Sequence, residues 1–194
     1  MNYKNKKILE IMEYIASQIE ECVYTEKLAK LVFLSDKLFL LKYGKTITGD
    51  RFLAMARGCV GSQALALIEK KSKFINDDSS AIKEVENSFK DINKKEKIVK
   101  LINENLELDS ISEAEKEVID YIVKNFGNKK YKEISDYTHK FKEWGIYDAT
   151  DANCANVDIN DLFDLNFDDV DDPLVKAVSK DVVIGAKAIY NGVM

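Results

Sequence analysis

One histidine, His139, and three cysteines, Cys22, Cys59 and Cys154, are the side chains of this 194-residue chain best suited to nucleophilic or metal chemistry. A serine or thiol nucleophile needs a base within hydrogen-bond reach. The lone imidazole is accompanied by no GxSxG or catalytic-cysteine signature. Zinc takes four nitrogen or sulfur ligands, and His139 has no partner at ligand spacing. The stretch Gly58-Cys59-Val60-Gly61-Ser62 contains two glycines but fits neither phosphate-loop nor dinucleotide spacing. Asp168, Asp169, Asp171 and Asp172 cluster without the alternate-position ligands and central glycine of a calcium loop. They read either as a solvated loop or as an acidic surface facing a partner. The expectation is a chain with no catalytic residue, no cofactor and no metal.

The elements around these residues are those of a folded protein. Apolar residues make up 46% of the chain and charged residues 32%, enough for a core and a solvated surface, which excludes a wholly disordered chain. One proline, eight glycines, nine tyrosines and nine phenylalanines point to helices around an aromatic core. The net charge of −5 is unevenly spread: residues 145–194 hold ten aspartates and only three lysines, a balance of −7, leaving +2 for residues 1–144. Phosphate binding needs a concentrated basic surface, so nucleic acid is not the expected partner, although residues 1–144 have room for a local basic patch. The odd, widely spaced cysteines read as reduced thiols. No signal-peptide core and no run of about 20 apolar residues is present, so the expected location is the cytoplasm, with no membrane.

Ile8, Ile11, Met12, Ile15 and Ile19 lie on one helical face, interrupted on the other by charges that include Glu20 and Glu21. A second helix is expected from Thr25, as N-cap, to Tyr43, with Gly44 in the left-handed position that ends it. It is apolar nearly all round, from Leu28 to Leu41, and belongs at the centre of a domain. The pattern changes near 46–62, which reads as a short irregular or strand-like segment. Ser62 is expected to cap a helix to about Lys71, followed by a solvated loop at Asn76–Ser80. Ile82, Val85, Phe89 and Ile92 predict a helix whose apolar face resumes at Ile98, Leu101 and Ile102. Ser112 and Glu115 form a capping box ahead of a helix that Gly127 ends, and another helix spans about 130–141. An Asp-rich connector, 148–172, precedes a final helix at 174–190. With no sustained strand alternation, the expected class is mainly α: a compact multi-helix single domain, residues 1–145, with 146–194 packing on it.

Several of these stretches together resemble the Panacea antitoxin domain, described also as SocA-like or phage-associated GepA-like. They are Lys27-Leu28-Ala29-Lys30-Leu31-Val32-Phe33-Leu34-Ser35-Asp36, then Leu40 to Phe52 with Tyr43, Gly44 and Asp50, then Ala54 to Val60. The capping-box helix, Ser135-Asp136-Tyr137-Thr138-His139 and Trp144 complete the set. The resemblance spans about residues 5–145, and it departs at Cys59, where the family carries a proline. It implies a helical domain without catalysis that neutralises a toxin by direct binding, in one relative as an adaptor to a protease. Tyr43, Gly44, Asp50, Thr138, His139 and Trp144 would then be structural.

Three readings of function follow. The first is an antitoxin or adaptor that binds a cognate toxin. The second is a phage or mobile-element regulator that binds a host protein. The third is a DNA-binding repressor using the helix pair 112–141, which Glu113, Glu115, Glu117 and Asp120 oppose. A binding module needs exposed anchors on a surface not consumed by the core. Two segments qualify. One is Phe52–Ser62, with Phe52, Arg57, Gly58 and Val60. The other is the acidic connector, with Phe163, Leu165 and Phe167, which either order on a basic partner surface or fold back onto the domain.

Overall fold

The computed structural model describes residues 1–19, 22–75, 78–148 and 152–193. The expected interruptions at Glu20 and Glu21, the loop residues Asn76 and Asp77, and connector residues 149–151 lie outside the described residues.

Helix α1 (Tyr3–Ser17) starts at Asn2, whose side chain accepts from the Asn5 amide, and buries Ile8, Ile11, Met12 and Ile15. Helix α2 (Thr25–Tyr43) runs through the centre and packs on α1, with Leu28, Leu31, Phe33, Leu34, Leu38 and Leu41 fully enclosed. Thr25 is its first helical residue rather than its cap: the cap position falls to Tyr24, which supplies no side-chain hydrogen bond. Gly44 ends the helix at φ 69°, and a Cβ there would meet the Ala186 carbonyl oxygen at 2.5 Å. Glycine is needed both for the left-handed backbone and for that close approach.

The expected mainly α class, with a single strand-like segment near 46–62, is corrected: the described residues include two three-stranded antiparallel sheets, so the fold is mixed α/β although mainly helical. The first sheet has the order β1-β5-β4, from β1 (Val23–Tyr24), β4 (Phe89–Asn93) and β5 (Ile98–Leu101). The periodicity read as helix through Phe89 and Ile92 ends with α4 (Ser79–Ser88), and the chain turns back through 94–97. That turn has no Asn-Gly or Pro-Gly signal. Asn93 accepts from the Lys95 and Glu96 amides, and Lys97 takes the positive φ of 56° that a glycine would normally take. The second sheet, β3-β2-β6, joins the hairpin β2 (Phe52–Met55) and β3 (Gly58–Gly61) to β6 (Cys154–Asn156) from the acidic connector.

Helix α3 (Ser62–Ile68) is shorter than expected and starts without a Ser62 side-chain cap. The capping box of α5 (Glu113–Phe126) is present in both directions. Helix α6 (Tyr131–Thr138) gives way to a separate α7 (Lys142–Asp148). The expected last helix is two pieces, α8 (Pro173–Ala177) and α9 (Lys180–Tyr190), because Ser179 caps a new helix. Among the described residues no helix is long and apolar enough to cross a membrane.

Candidate functional site

Of the resemblance residues, Asp50, Thr138 and Trp144 converge on the β2–β3 hairpin. Asp36, buried within α2, accepts from the Ile47 amide at 2.8 Å, the Thr48 amide at 2.9 Å and the Thr48 hydroxyl at 2.6 Å, closing the loop after α2. Burial pushes its carboxyl up to about 7 against the pull of those hydrogen bonds. Asp50 accepts from the Arg51, Gln63 and Ala64 amides, so it caps α3 in place of Ser62. The chain enters the hairpin from α2 past Asp36 and leaves it into α3 at Asp50. Tyr43, at the end of α2, is half exposed and packs on Phe39 at 4.5 Å between ring centres.

The tip of the hairpin is held from the other side. Gly58 has φ 102°, and a Cβ there would overlap Thr138 Oγ1. Ser135 Oγ donates to the Arg57 carbonyl at 2.6 Å, and Trp144 Nε1 donates to the Met55 carbonyl at 2.9 Å. His139 stacks on Trp144 at 4.0 Å, with Nε2 buried and without a hydrogen-bond partner. Burial and the Lys30 ammonium lower the affinity of His139 for a proton. Cys59 pairs with Ala54 across the hairpin and is fully buried, its thiol pushed up to about 12 by burial. The thiol is therefore protonated and inert at neutral pH. The turn is pinned by Gly58, Ser135 and Trp144.

What the hairpin holds out is Arg57, whose side chain is 68% exposed. Its Nη1 lies 3.4 Å from both carboxylate oxygens of Glu26, in the first turn of α2. Tyr131, the first residue of α6, donates its hydroxyl to the same carboxylate. Lys97, from the β4–β5 turn, stands 3.6 Å from Glu26 and 2.6 Å from Glu69. Burial alone would raise the Glu26 pKa, but the Tyr131 hydrogen bond and the Arg57 and Lys97 charges outweigh it, and the net shift is downward. Tyr24 and Tyr131 meet with ring centres 5.9 Å apart. A cavity of about 500 Å³ opens between Arg57, Lys97 and Tyr131, and one of about 440 Å³ continues past the two tyrosines to Lys130 and Lys132.

A second ion pair ties α7 to α2: Lys37 and Glu143 meet at 2.6 Å, neither side chain exposed, with the ammonium 4.3 Å from the Phe141 ring centre. Two turns before Lys37 along α2, Lys30 is buried, and burial lowers its pKa to about 8.

Of the residues read as partner-binding, Phe52 is enclosed against Phe33, and Val60 and Phe163 are also buried. Leu165 and Phe167 are partly buried against the core. These side chains are occupied by packing, and Arg57 is the one that stands in solvent. Glu26, Lys97, Tyr24 and Tyr131 were not singled out by sequence reasoning. They come from β1, α2, the β4–β5 turn and α6, and only the lysine-rich run 94–97 gave any local hint.

The sequence profile of the antitoxin SocA-like family, Panacea domain, matches residues 28–145. No curated protein and no solved structure matches the chain. The matched region is more than half of the chain, and the chain belongs to that family.

Proposed function

We propose that this member of the antitoxin SocA-like Panacea family neutralises a cognate toxin by direct protein–protein binding, without chemistry of its own. The observation that carries this reading is the mounting of Arg57: a turn fixed by Ser135 and Trp144 presents an exposed guanidinium in a cavity that Tyr24 and Tyr131 also line. Arginine and tyrosine are the residue types that dominate binding energy at interfaces, and a rigid mount loses little entropy on association. The enclosed Cys59 and the weakly basic His139 give no support to a catalytic reading. The same reading takes residues 1–145 as the Panacea domain and 146–194 as an acidic extension of it. The burial of Leu162, Phe163, Val183 and Ala186, and the packing of α9 on α2, support that division.

Co-expression with the product of the adjacent gene tests the proposal. The expected result is restored growth and co-purification of the two chains, retained when His139 is changed to Ala. Failure of the wild-type chain either to restore growth or to co-purify overturns it. A toxin that stays active while a host protein is retained instead would favour the phage-regulator reading. An adaptor role would show as toxin loss that stops when the host protease is removed.

A further inference from the structure

On a chain of net charge −5, the groove around Tyr24 and Tyr131 is an electrostatic outlier. Arg57, Lys95 and Lys97 line its first cavity with Glu26 and Glu96, and Lys27, Lys129, Lys130 and Lys132 line the second. Among the described residues no acid lines that second cavity. Seven cations thus face two carboxylates. The hydroxyl of Thr25, which also lines the groove, is buried on a residue only 4% exposed and has no hydrogen-bond partner. It sits at the start of a 19-residue helix whose cap position supplies no side-chain acceptor, where the helix dipole favours negative charge.

We infer that this groove receives an acidic segment of the partner protein, with carboxylates placed on Arg57 and Lys97 and the chain passing over Tyr24 and Tyr131. The inference rests on the protein-binding reading above and names the chemistry of the partner. Its strongest support is Glu26, which already seats a carboxylate against Arg57, Lys97 and the Tyr131 hydroxyl. That donor set is therefore matched to a carboxylate in this very geometry. The excess of positive charge over both cavities steers an acidic partner to the groove and aligns it there. A nucleic-acid strand is the less suited occupant. A strand presents phosphates along its whole length, and the chain as a whole carries excess negative charge that repels them beyond the groove.

The test uses the purified full chain and a fluorescein-labelled decaglutamate peptide, read by anisotropy at low salt and again at about 0.15 M salt, where surface charges are screened over roughly 8 Å. Saturable binding that weakens with salt is expected. The double change Arg57→Gln with Lys97→Gln should lower affinity at least tenfold, and Lys130→Gln with Lys132→Gln severalfold. Lys73→Gln with Lys83→Gln, both outside the groove, should leave it within twofold. Circular dichroism checks that each variant is folded. Absence of saturable binding, equal losses in the groove and control pairs, or tighter binding of a ten-nucleotide single-stranded DNA would each overturn the inference. Co-expression separates the two levels. If wild type and the Arg57→Gln, Lys97→Gln variant both rescue growth, the groove is not the contact and the antitoxin reading stands. If wild type itself fails, the antitoxin reading falls, whatever the peptide does.

Discussion

Lys37 and Glu143 meet at 2.6 Å with neither side chain reaching solvent, whereas Arg57 and Glu26 meet at 3.4 Å with two-thirds of the arginine side chain in water. Both pairs join α2 to a segment far along the chain, and both use a glutamate and a cation. Depth separates them. In the buried pair each charge has left water, so each depends on the other, and the pair fixes α7 and with it Trp144 against the hairpin. In the exposed pair water screens both charges, the mutual attraction is small, and the guanidinium stays available to another carboxylate. One pair holds the turn in place, and the other is what the turn presents.

The comparison breaks most readily at Glu143. Changing Glu143 to Ala strands the Lys37 ammonium in the core, and a loss of about 3–5 kcal/mol is expected. A urea midpoint close to that of wild type would mean that the pair does not anchor α7. Leu34→Ala, in the fully enclosed stretch of α2, is expected to cost about 2–5 kcal/mol as an unfilled cavity. A much smaller change would remove α2 from the centre of the core.

Gly58→Ala addresses the mount itself. It forces a side chain into a left-handed backbone and against Thr138, at a cost of about 1–3 kcal/mol. If thermal melting is unaffected, the tip is looser than its contacts indicate.

Lys30 sharpens the buried side of the comparison through pH. Its pKa is about 8 in the folded chain and 10.5 ordinarily. Between those values the unfolded chain binds more protons, so stability should rise with pH from about 8 to 10.5 on this account. Below about 8 the group is charged in both states and contributes no slope, its burial penalty being present in full. Urea midpoints at pH 7.5 and 9.5 should therefore diverge less in Lys30→Met than in wild type, and equal divergence would refute the assignment. Arg57→Gln carries the smallest expected effect on folding, under about 1 kcal/mol. A loss comparable to that of Glu143→Ala would place both pairs in the same structural role.

Helical periodicity made α1, the body of α2 and α5 legible from the chain alone. Each needs only the recurrence of apolar residues on one face, and the Ser112–Glu115 box needs only residues three apart. The β4–β5 hairpin was not legible, because the run Lys94 to Lys97 lacks turn residues and Phe89 and Ile92 also satisfy a helical spacing. Arg57 stood out in a glycine-marked segment, but the residues that complete its surroundings did not.

Glu26, Lys97, Tyr131 and Arg57 lie on separate elements, and nothing local in the sequence brings them together. The chain by itself determined α1, the body of α2 and α5, that its last fifty residues are acidic and that it carries the Panacea pattern, since these are properties of neighbouring residues. Only packing decided which lysine is buried, as Lys37 is, and which stands at a groove, as Lys97 does. A charged side chain has no depth until tertiary contacts displace its water, and depth is what turns one kind of ion pair into an anchor and another into a docking point.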